Sequence, residues 1–317
     1  MVKRKILIVG FGSMGCRHAQ SFLNRENDYE IHILEPYSDN IEKNLNLINS
    51  RRNDFIWHKN INHLPILDIA IVATSSNPRF EIVKSLINLG YKKILLEKVV
   101  FQSEKQFNVI IKMINEAKAV IYCNFVNRYF KAYNNIKKQL NQKNEKVSID
   151  VHGGPFGLGC NAIHYIDIFQ YLLNEDVVKL KKCNLHLFKN GNKRGSIYKE
   201  FYGEIKLCNG KGDIINIISD LEYKGDITIN IKQGNREFLL DQGKGELLTS
   251  TNSEKTKNDF IIIPSSSLTH IIVEDIFKNK CGLTQLEQTV LAHTALFKAF
   301  NSKINIKHSS ETLCPIT

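Results

Sequence analysis

No CxxC pair occurs in this chain: its seven cysteines, at 16, 123, 160, 183, 208, 281 and 314, stand singly. Structural zinc sites and disulfide frameworks need cysteines at short or recurrent spacings, so neither is expected, and a reducing cytoplasm suits this usage. No proline- or glycine-rich linker appears, and prolines number only 6 in 317 residues. Two domains abutting across a cleft are therefore expected, rather than two on a tether. No apolar run approaches the ~20 residues that cross a bilayer. The basic start MVKRKILIVG offers only Ile6 to Val9 before glycines follow, and reads as a first strand rather than a targeting segment. The formal charge of +11 would suit an anionic partner. Its basic residues are spread along the whole chain, with no aromatic-interleaved stripe or recognition-helix pattern, so nucleic acid is not an expected partner. No carboxylate–histidine cluster has metal-ligand spacing, and no metal is expected.

With 43% hydrophobic residues over 317 positions, two ordinary cores can be buried. Short apolar runs at 5–10, 29–34, 68–73, 92–97 and 119–125 alternate with helical segments, among them 79–89 and 103–118. Such alternation predicts parallel strands covered by helices on both faces. After about residue 123 the texture changes. VSIDVH (147–152) alternates with period two, and hairpin signals stand at Asn209-Gly210 and Gly234-Asn235, predicting an antiparallel sheet. Two helices close the chain, Ser267 to about Lys278 and Leu286 to Phe300, the second announced by the capping box Thr284-x-x-Glu287. The predicted division is 1–123 and 124–317.

GFGSMG, Gly10 to Gly15, follows the first strand and opens a helix. In that context Gly10 permits a tight turn, Gly12 close approach to a pyrophosphate and Gly15 close helix packing, as in a dinucleotide-binding Rossmann domain. Ser13 and Met14 complete the turn. Glu35 ends the second strand, twenty residues after Gly15, where a carboxylate holds the ribose hydroxyls and repels a 2′-phosphate. NAD is the expected cofactor. NADP is the alternative, with Arg17 and the Arg51-Arg52 pair as cations that would admit it.

In CNAIHYID (160–167), a helix would place Asn161, His164 and Asp167 within an arc of roughly 120°, with Ile163 and Ile166 pointing away. Alone, this pattern also describes a solvated helix flank.

GFGSMGCRHA, TSSNPRF, LLEKVV, NFVNRYF and CNAIHYID come in the order, and at about the spacings, of the Gfo/Idh/MocA oxidoreductases, and the chain resembles that family along nearly its whole length. The resemblance implies an N-terminal Rossmann domain with a doubly wound parallel sheet, and a C-terminal α+β domain with a large, mostly antiparallel open sheet. It implies hydride transfer between nicotinamide and a hydroxyl or keto carbon of a sugar, amino-sugar or sugar-nucleotide derivative. Carried over by position, Lys98, His164 and Asp167 are the expected catalytic residues. Arg128 and Asn161, with Lys98 and His164, are expected to touch substrate. Thr74, Asn77, Glu97 and Lys98 join Gly10, Gly12, Ser13, Met14, Gly15 and Glu35 around the cofactor. Chemically, Lys98 would polarise the reacting oxygen and His164 exchange its proton.

The chain departs from the family pattern at several places. Val99 replaces a usual proline, which makes a cis linkage there less expected. Phe80 stands where a histidine is common, and Cys160 and Ala162 replace an Asp and a Gly. Rival readings are an imine or tetrapyrrole reductase, and a non-catalytic dinucleotide-binding sensor. The resemblance further implies a homo-oligomer, dimer or tetramer, with Ile227, Ile229 and Ile231 as the face to be covered. His18 reads as a residue that supports the site from behind or caps the helix, and His58 and His63 as surface or loop residues. His152 and the Gly153–Gly159 loop read equally as cleft lining or as an outward strand position and a connection.

Overall fold

The computed structural model describes residues 3–23, 25, 27–37, 41–140, 145–188 and 194–317. Within them the chain forms a six-stranded parallel sheet and an eight-stranded, mostly antiparallel one.

The first sheet contains β1 (Arg4–Val9), β2 (Tyr29–Leu34), β3 (Ile56–His58), β4 (Ile69–Val72), β5 (Lys93–Leu96) and β6 (Val120–Cys123), in the order β3-β2-β1-β4-β5-β6. Ile6, Leu7, Ile8, Ile69, Ala70 and Ile71 are wholly buried, which is why these strands read as continuous apolar runs: both faces are covered. The helices between these strands are α1 (Ser13–Gln20), α2 (Ile41–Leu47), α3 (Ser76–Asn88) and α4 (Glu104–Ala117). The amphipathic spacing of α4 buries Phe107, Ile110 and Ile114. Strand β3 is too short to give a periodic signal. His58 therefore lies on a strand rather than in a loop, with Nε2 2.9 Å from Nδ1 of His32 on β2. His63 sits exposed in a single 3₁₀ turn, Ile61–His63.

The chain does not divide by one cut at 123/124. The first unit takes residues up to Phe101, then Lys105–Val126, then Ile263–Glu287. The last piece carries α7 (Ser265–Phe277), which buries Leu268, Thr269, Ile272, Val273 and Ile276. Ser21 Oγ meets His270 Nδ1 at 3.0 Å, and Glu274 accepts from Arg4 at 2.9 Å and from Tyr29 at 2.6 Å. These contacts join chain segments some 250 residues apart, so no local pattern announces them.

The second unit holds α5 (Lys131–Gln139), β7 (Val147–Gly153), α6 (Leu158–Leu173), β8 (Lys179–Leu187), β9 (Phe201–Cys208), β10 (Ile214–Ser219), β11 (Thr228–Gln233), β12 (Arg236–Asp241), β13 (Glu246–Ser250), β14 (Lys255–Asp259) and α8 (Val290–Lys303). The strand order is β14-β13-β12-β11-β7-β10-β9-β8, antiparallel throughout except for β7 beside β10. Gly234-Asn235 makes the two-residue turn between β11 and β12, with Gly234 at φ +55°. Val147, Ile149 and Val151 share the inner face with Ile229 and Ile231, all at most 3% exposed. Of the three isoleucines expected to form an oligomer face, Ile229 and Ile231 are thus already covered by the chain itself, while Ile227 is half-buried. The opposite face carries Asp150, Ile214, Asn216, Ile218, Asn230, Leu239 and Leu248. Helix α8 begins after a 3₁₀ turn, Leu286–Thr289, with Thr289 at its N-cap rather than Thr284. Thr284 instead gives its carbonyl to the Cys123 amide at 2.8 Å.

Candidate cofactor and substrate sites

The order of the first sheet reverses between β1 and β4, and at such a point the C-terminal strand ends leave a crevice. A cleft of about 540 Å³ lies there, lined among others by Gly10, Gly12, Glu35, Tyr37, Lys59 and Thr74. The glycines have separate reasons. Gly10 holds φ +87°, and a Cβ would press on Thr74 at 3.0 Å. A Cβ on Gly15 would fall 1.8 Å from the Gly10 carbonyl, so only glycine lets α1 sit this close to β1. Gly12 is exposed, with no atom within 4 Å of a would-be Cβ, which leaves the backbone open on the cleft side. It is also the N-cap of α1, with no side-chain cap hydrogen bond. The first-turn amides of Ser13, Met14 and Gly15 therefore point where an anion is stabilised.

Glu35 accepts from the Phe11 amide at 2.8 Å on one oxygen and from the Tyr37 amide at 3.0 Å on the other. Two backbone donors fix the carboxylate at the cleft while leaving lone pairs for hydroxyl donors. Two of the three arginines considered for a 2′-phosphate, Arg17 and Arg52, are engaged elsewhere. Arg17 donates to Gln20 at 2.7 Å, and Arg52 lies over the Trp57 ring and 3.5 Å from Glu42. Lys59 is the cation on the cleft wall. A glycine turn open to solvent, an uncapped helix start and a held carboxylate fit a dinucleotide. Asn77 lies exposed on the first turn of α3, outside the lining of this cleft.

Past the end of β5 comes Glu97, 5% exposed. It accepts from His18 Nε2 at 3.0 Å and from Asn124 Nδ2 at 2.6 Å. Burial alone would raise its pKa. The hydrogen bonds and charge of His18, the Asn124 amide and the charge of Lys98 outweigh that and hold it at about 2. His18 is itself wholly buried, with Nδ1 2.8 Å from Thr269 Oγ1 on α7. It orients Glu97 rather than capping a helix.

Lys98 is half-buried, and the Lys98–Val99 peptide is cis despite the absence of proline. The carbonyls around it are taken by a side chain to which the sequence reading gave no role: Arg79, 1% exposed, donates to the carbonyls of Glu97, Val99, Val100 and Thr74. Phe80, in the histidine position, packs its ring against Phe101 with centroids 6.1 Å apart.

In the second unit, α6 carries the CNAIHYID segment. Its start depends on two glycines. A Cβ on Gly157 (φ +76°) or on Gly159 would fall 2.8 Å from the Glu200 carboxyl group, which accepts from the Gly159 amide at 2.6 Å and the Phe201 amide at 2.9 Å. The glycine loop is thus the seat of a carboxylate at a helix N-terminus, a role visible only once β9 is in place. Asn161 donates to the Phe156 carbonyl, tying α6 back to that loop. His164 is half-buried. Asp167, 1% exposed at the side chain, receives Arg128 Nε at 2.9 Å and Nη2 at 2.8 Å. This bidentate pair fixes both residues to each other. The Arg128 guanidinium also lies 5.1 Å from the Tyr171 ring centroid, and Lys137 Nζ 3.8 Å from it. Burial, then the Arg128 charge, pushes the Lys137 pKa down. His152, on the outer sheet face, packs on Tyr223 with ring centroids 4.3 Å apart. Among the described residues no cluster of His, Cys, Asp and Glu could hold a metal ion, and no helix is long and apolar enough to cross a membrane.

Residues 4–125 match the sequence model of a family described as "Oxidoreductase family, NAD-binding Rossmann fold". Curated protein sequences yield no match. Among solved structures, the chain is similar to the UDP-N-acetylglucosamine 3-dehydrogenase GnnA of Acidithiobacillus ferrooxidans, with 12% identity, 94% of this chain and 97% of that one covered, and a TM-score of 0.73. An oxidoreductase of Agrobacterium radiobacter, crystallised with NAD+, L-tartaric acid and magnesium, aligns over 96% of this chain and 97% of its own at 12% identity and TM-score 0.73. The super-repressor mutant of Gal80p from Saccharomyces cerevisiae aligns over 96% of each chain at 13% identity and TM-score 0.70. At these identities the likeness is one of fold, which catalytic and regulatory proteins share.

Proposed function

We propose, because residues 4–125 match the sequence model of an NAD-binding Rossmann oxidoreductase family, that the whole chain is an NAD-dependent dehydrogenase of the Gfo/Idh/MocA type. Its substrate on this reading is an alcohol of the sugar, amino-sugar or sugar-nucleotide class. The cleft with its open Gly12 and its held Glu35 carries the reading. The nicotinamide, when bound, supplies the hydride acceptor or donor. The first-turn amides of α1 hold the pyrophosphate, and Glu35 receives the ribose hydroxyls. Lys98 stabilises negative charge on the reacting oxygen, and His164 takes up or returns the hydroxyl proton. Asp167 and Arg128 keep α6, and with it His164, in place, and Asn161 anchors the start of that helix. The similarity to a UDP-N-acetylglucosamine dehydrogenase supports the sugar-nucleotide class first. We further propose a cytoplasmic homo-oligomer, joined through the outer sheet face around Ile218, Leu239 and Leu248 rather than through Ile229 and Ile231.

The test is a panel of sugars, amino sugars and UDP-sugars incubated with NAD+ or NADP+, with NADH or NADPH formation followed by absorbance. Reduction of NAD+ by one class, lost in His164→Ala, is the expected result. Dinucleotide binding with no turnover on any substrate, alongside capture of a protein partner, would replace the enzyme by a sensor.

A further inference from the structure

Arg79 stands in TSSNPRF, directly after Pro78 in the first turn of α3, and is 1% exposed. A guanidinium so deeply buried is tolerated only where its donors find acceptors. Here they find main-chain oxygens. Nη1 donates to Glu97 O at 2.5 Å, to Val100 O at 3.2 Å and to Val99 O, while Nη2 donates to Thr74 O.

The four carbonyls come from two places. Thr74 lies just past β4 and lines the dinucleotide cleft. Glu97, Val99 and Val100 lie just past β5, on either side of Lys98. In a parallel sheet these are the strand ends that present groups to a ligand. With the Glu97–Lys98 peptide and the Val99–Val100 peptide both held by one rigid planar group, the short stretch that carries the Lys98 Cα is pinned at each end. Because Thr74 is held by the same group, the lysine is placed relative to the cofactor cleft. Lysine at position 79 would keep the charge but lose the planar fork that spans both strand ends.

We infer that Arg79 is a positioning residue for Lys98, fixing the backbone on both sides of it and linking that backbone to Thr74. The inference rests on the reading of Lys98 as the residue that acts on the substrate oxygen.

The test needs no substrate. Arg79→Ala, Arg79→Lys and Arg79→Gln are prepared, and folding is checked by near-UV circular dichroism and thermal melting. The reactivity of Lys98 toward trace acetic anhydride is then measured across pH by peptide mass spectrometry, with the exposed Lys112 as internal control. In the folded variants the Lys98 rate profile should change by about threefold or more, because its surroundings are no longer set, while Lys112 stays as in wild type. Millimolar methylguanidinium should restore the Lys98 profile in Arg79→Ala. An unchanged Lys98 profile in a folded variant overturns the proposal. If none of the three variants folds, Arg79 is a core residue only, and the proposal is equally overturned. Lys98→Met assayed on the substrate tests the catalytic reading separately, so failure of one does not read as failure of the other.

Discussion

His18 Nε2 and Glu97 Oε1 lie 3.0 Å apart in the interior of the first unit, with side-chain exposures of 0% and 6%. An ionised carboxylate in such a place requires partners, and its depressed pKa makes it a pH-dependent support of the fold. The folded value, about 2, lies below the ordinary 4.5. Its contribution is therefore full above about pH 4.5 and is lost as pH falls toward 2. The gap corresponds to something on the order of 3 kcal/mol. In urea titrations from pH 6 to pH 3, wild type should lose markedly more stability than Glu97→Gln. Parallel acid profiles for the two proteins would count against an ionised buried Glu97.

Glu35→Ala removes the acceptor for the ribose hydroxyls and the repulsion of a 2′-phosphate together. NADH affinity should fall roughly 10- to 100-fold, the worth of hydrogen bonds to a charged group, and the preference over NADPH should vanish. Fluorescence titration of both reduced dinucleotides reads this directly. Tighter NADPH binding by the unaltered protein would contradict it.

Gly12 and Gly15 should respond oppositely to alanine. Gly12→Ala meets open space, so melting should be unchanged while NADH affinity falls about 10-fold or more as the backbone is screened from the pyrophosphate. Gly15→Ala meets the Gly10 carbonyl at 1.8 Å, so α1 must move and stability should drop by about 1–3 kcal/mol.

Arg128→Met or Asp167→Leu leaves one buried charge without its partner and should cost about 3–5 kcal/mol, whereas the double variant should regain much of the loss. Denaturant midpoints of the four proteins form the cycle. Additive losses would show that the bidentate pair is not what these residues contribute.

His164→Ala should lower turnover roughly 10²-fold or more, the usual effect of a positioned acid–base group, with NADH affinity unaltered. Wild-type turnover in that variant would return His164 to a structural role.

Periodicity carried the two-sheet architecture, because parallel strands covered on both faces and a half-covered antiparallel sheet leave different apolar patterns in the sequence. The glycine turn and Glu35 were legible for a related reason: their geometry is local to one strand–turn–helix unit. The roles of Arg79, Asn124 and Glu200 were not. Each acts on residues brought beside it by the fold, across 18 to 41 positions of sequence, and an arginine after a proline looks like any helix start. The same holds for Asp167. Its spacing from His164 suggested a shared polar face, but the bond that decides its behaviour reaches back to Arg128.

Helix α7 bears on how the gene could be divided. A cofactor module ended at residue 126 would lack the helix whose Thr269, His270 and Glu274 close over His18, Ser21, Arg4 and Tyr29. It would present a bare apolar stripe to solvent. A portable dinucleotide-binding unit cut from this protein therefore has to be spliced, with residues 263–287 grafted behind β6. For the same reason, recombination that swaps only the N-terminal half between relatives would break a core while leaving every recognisable motif intact.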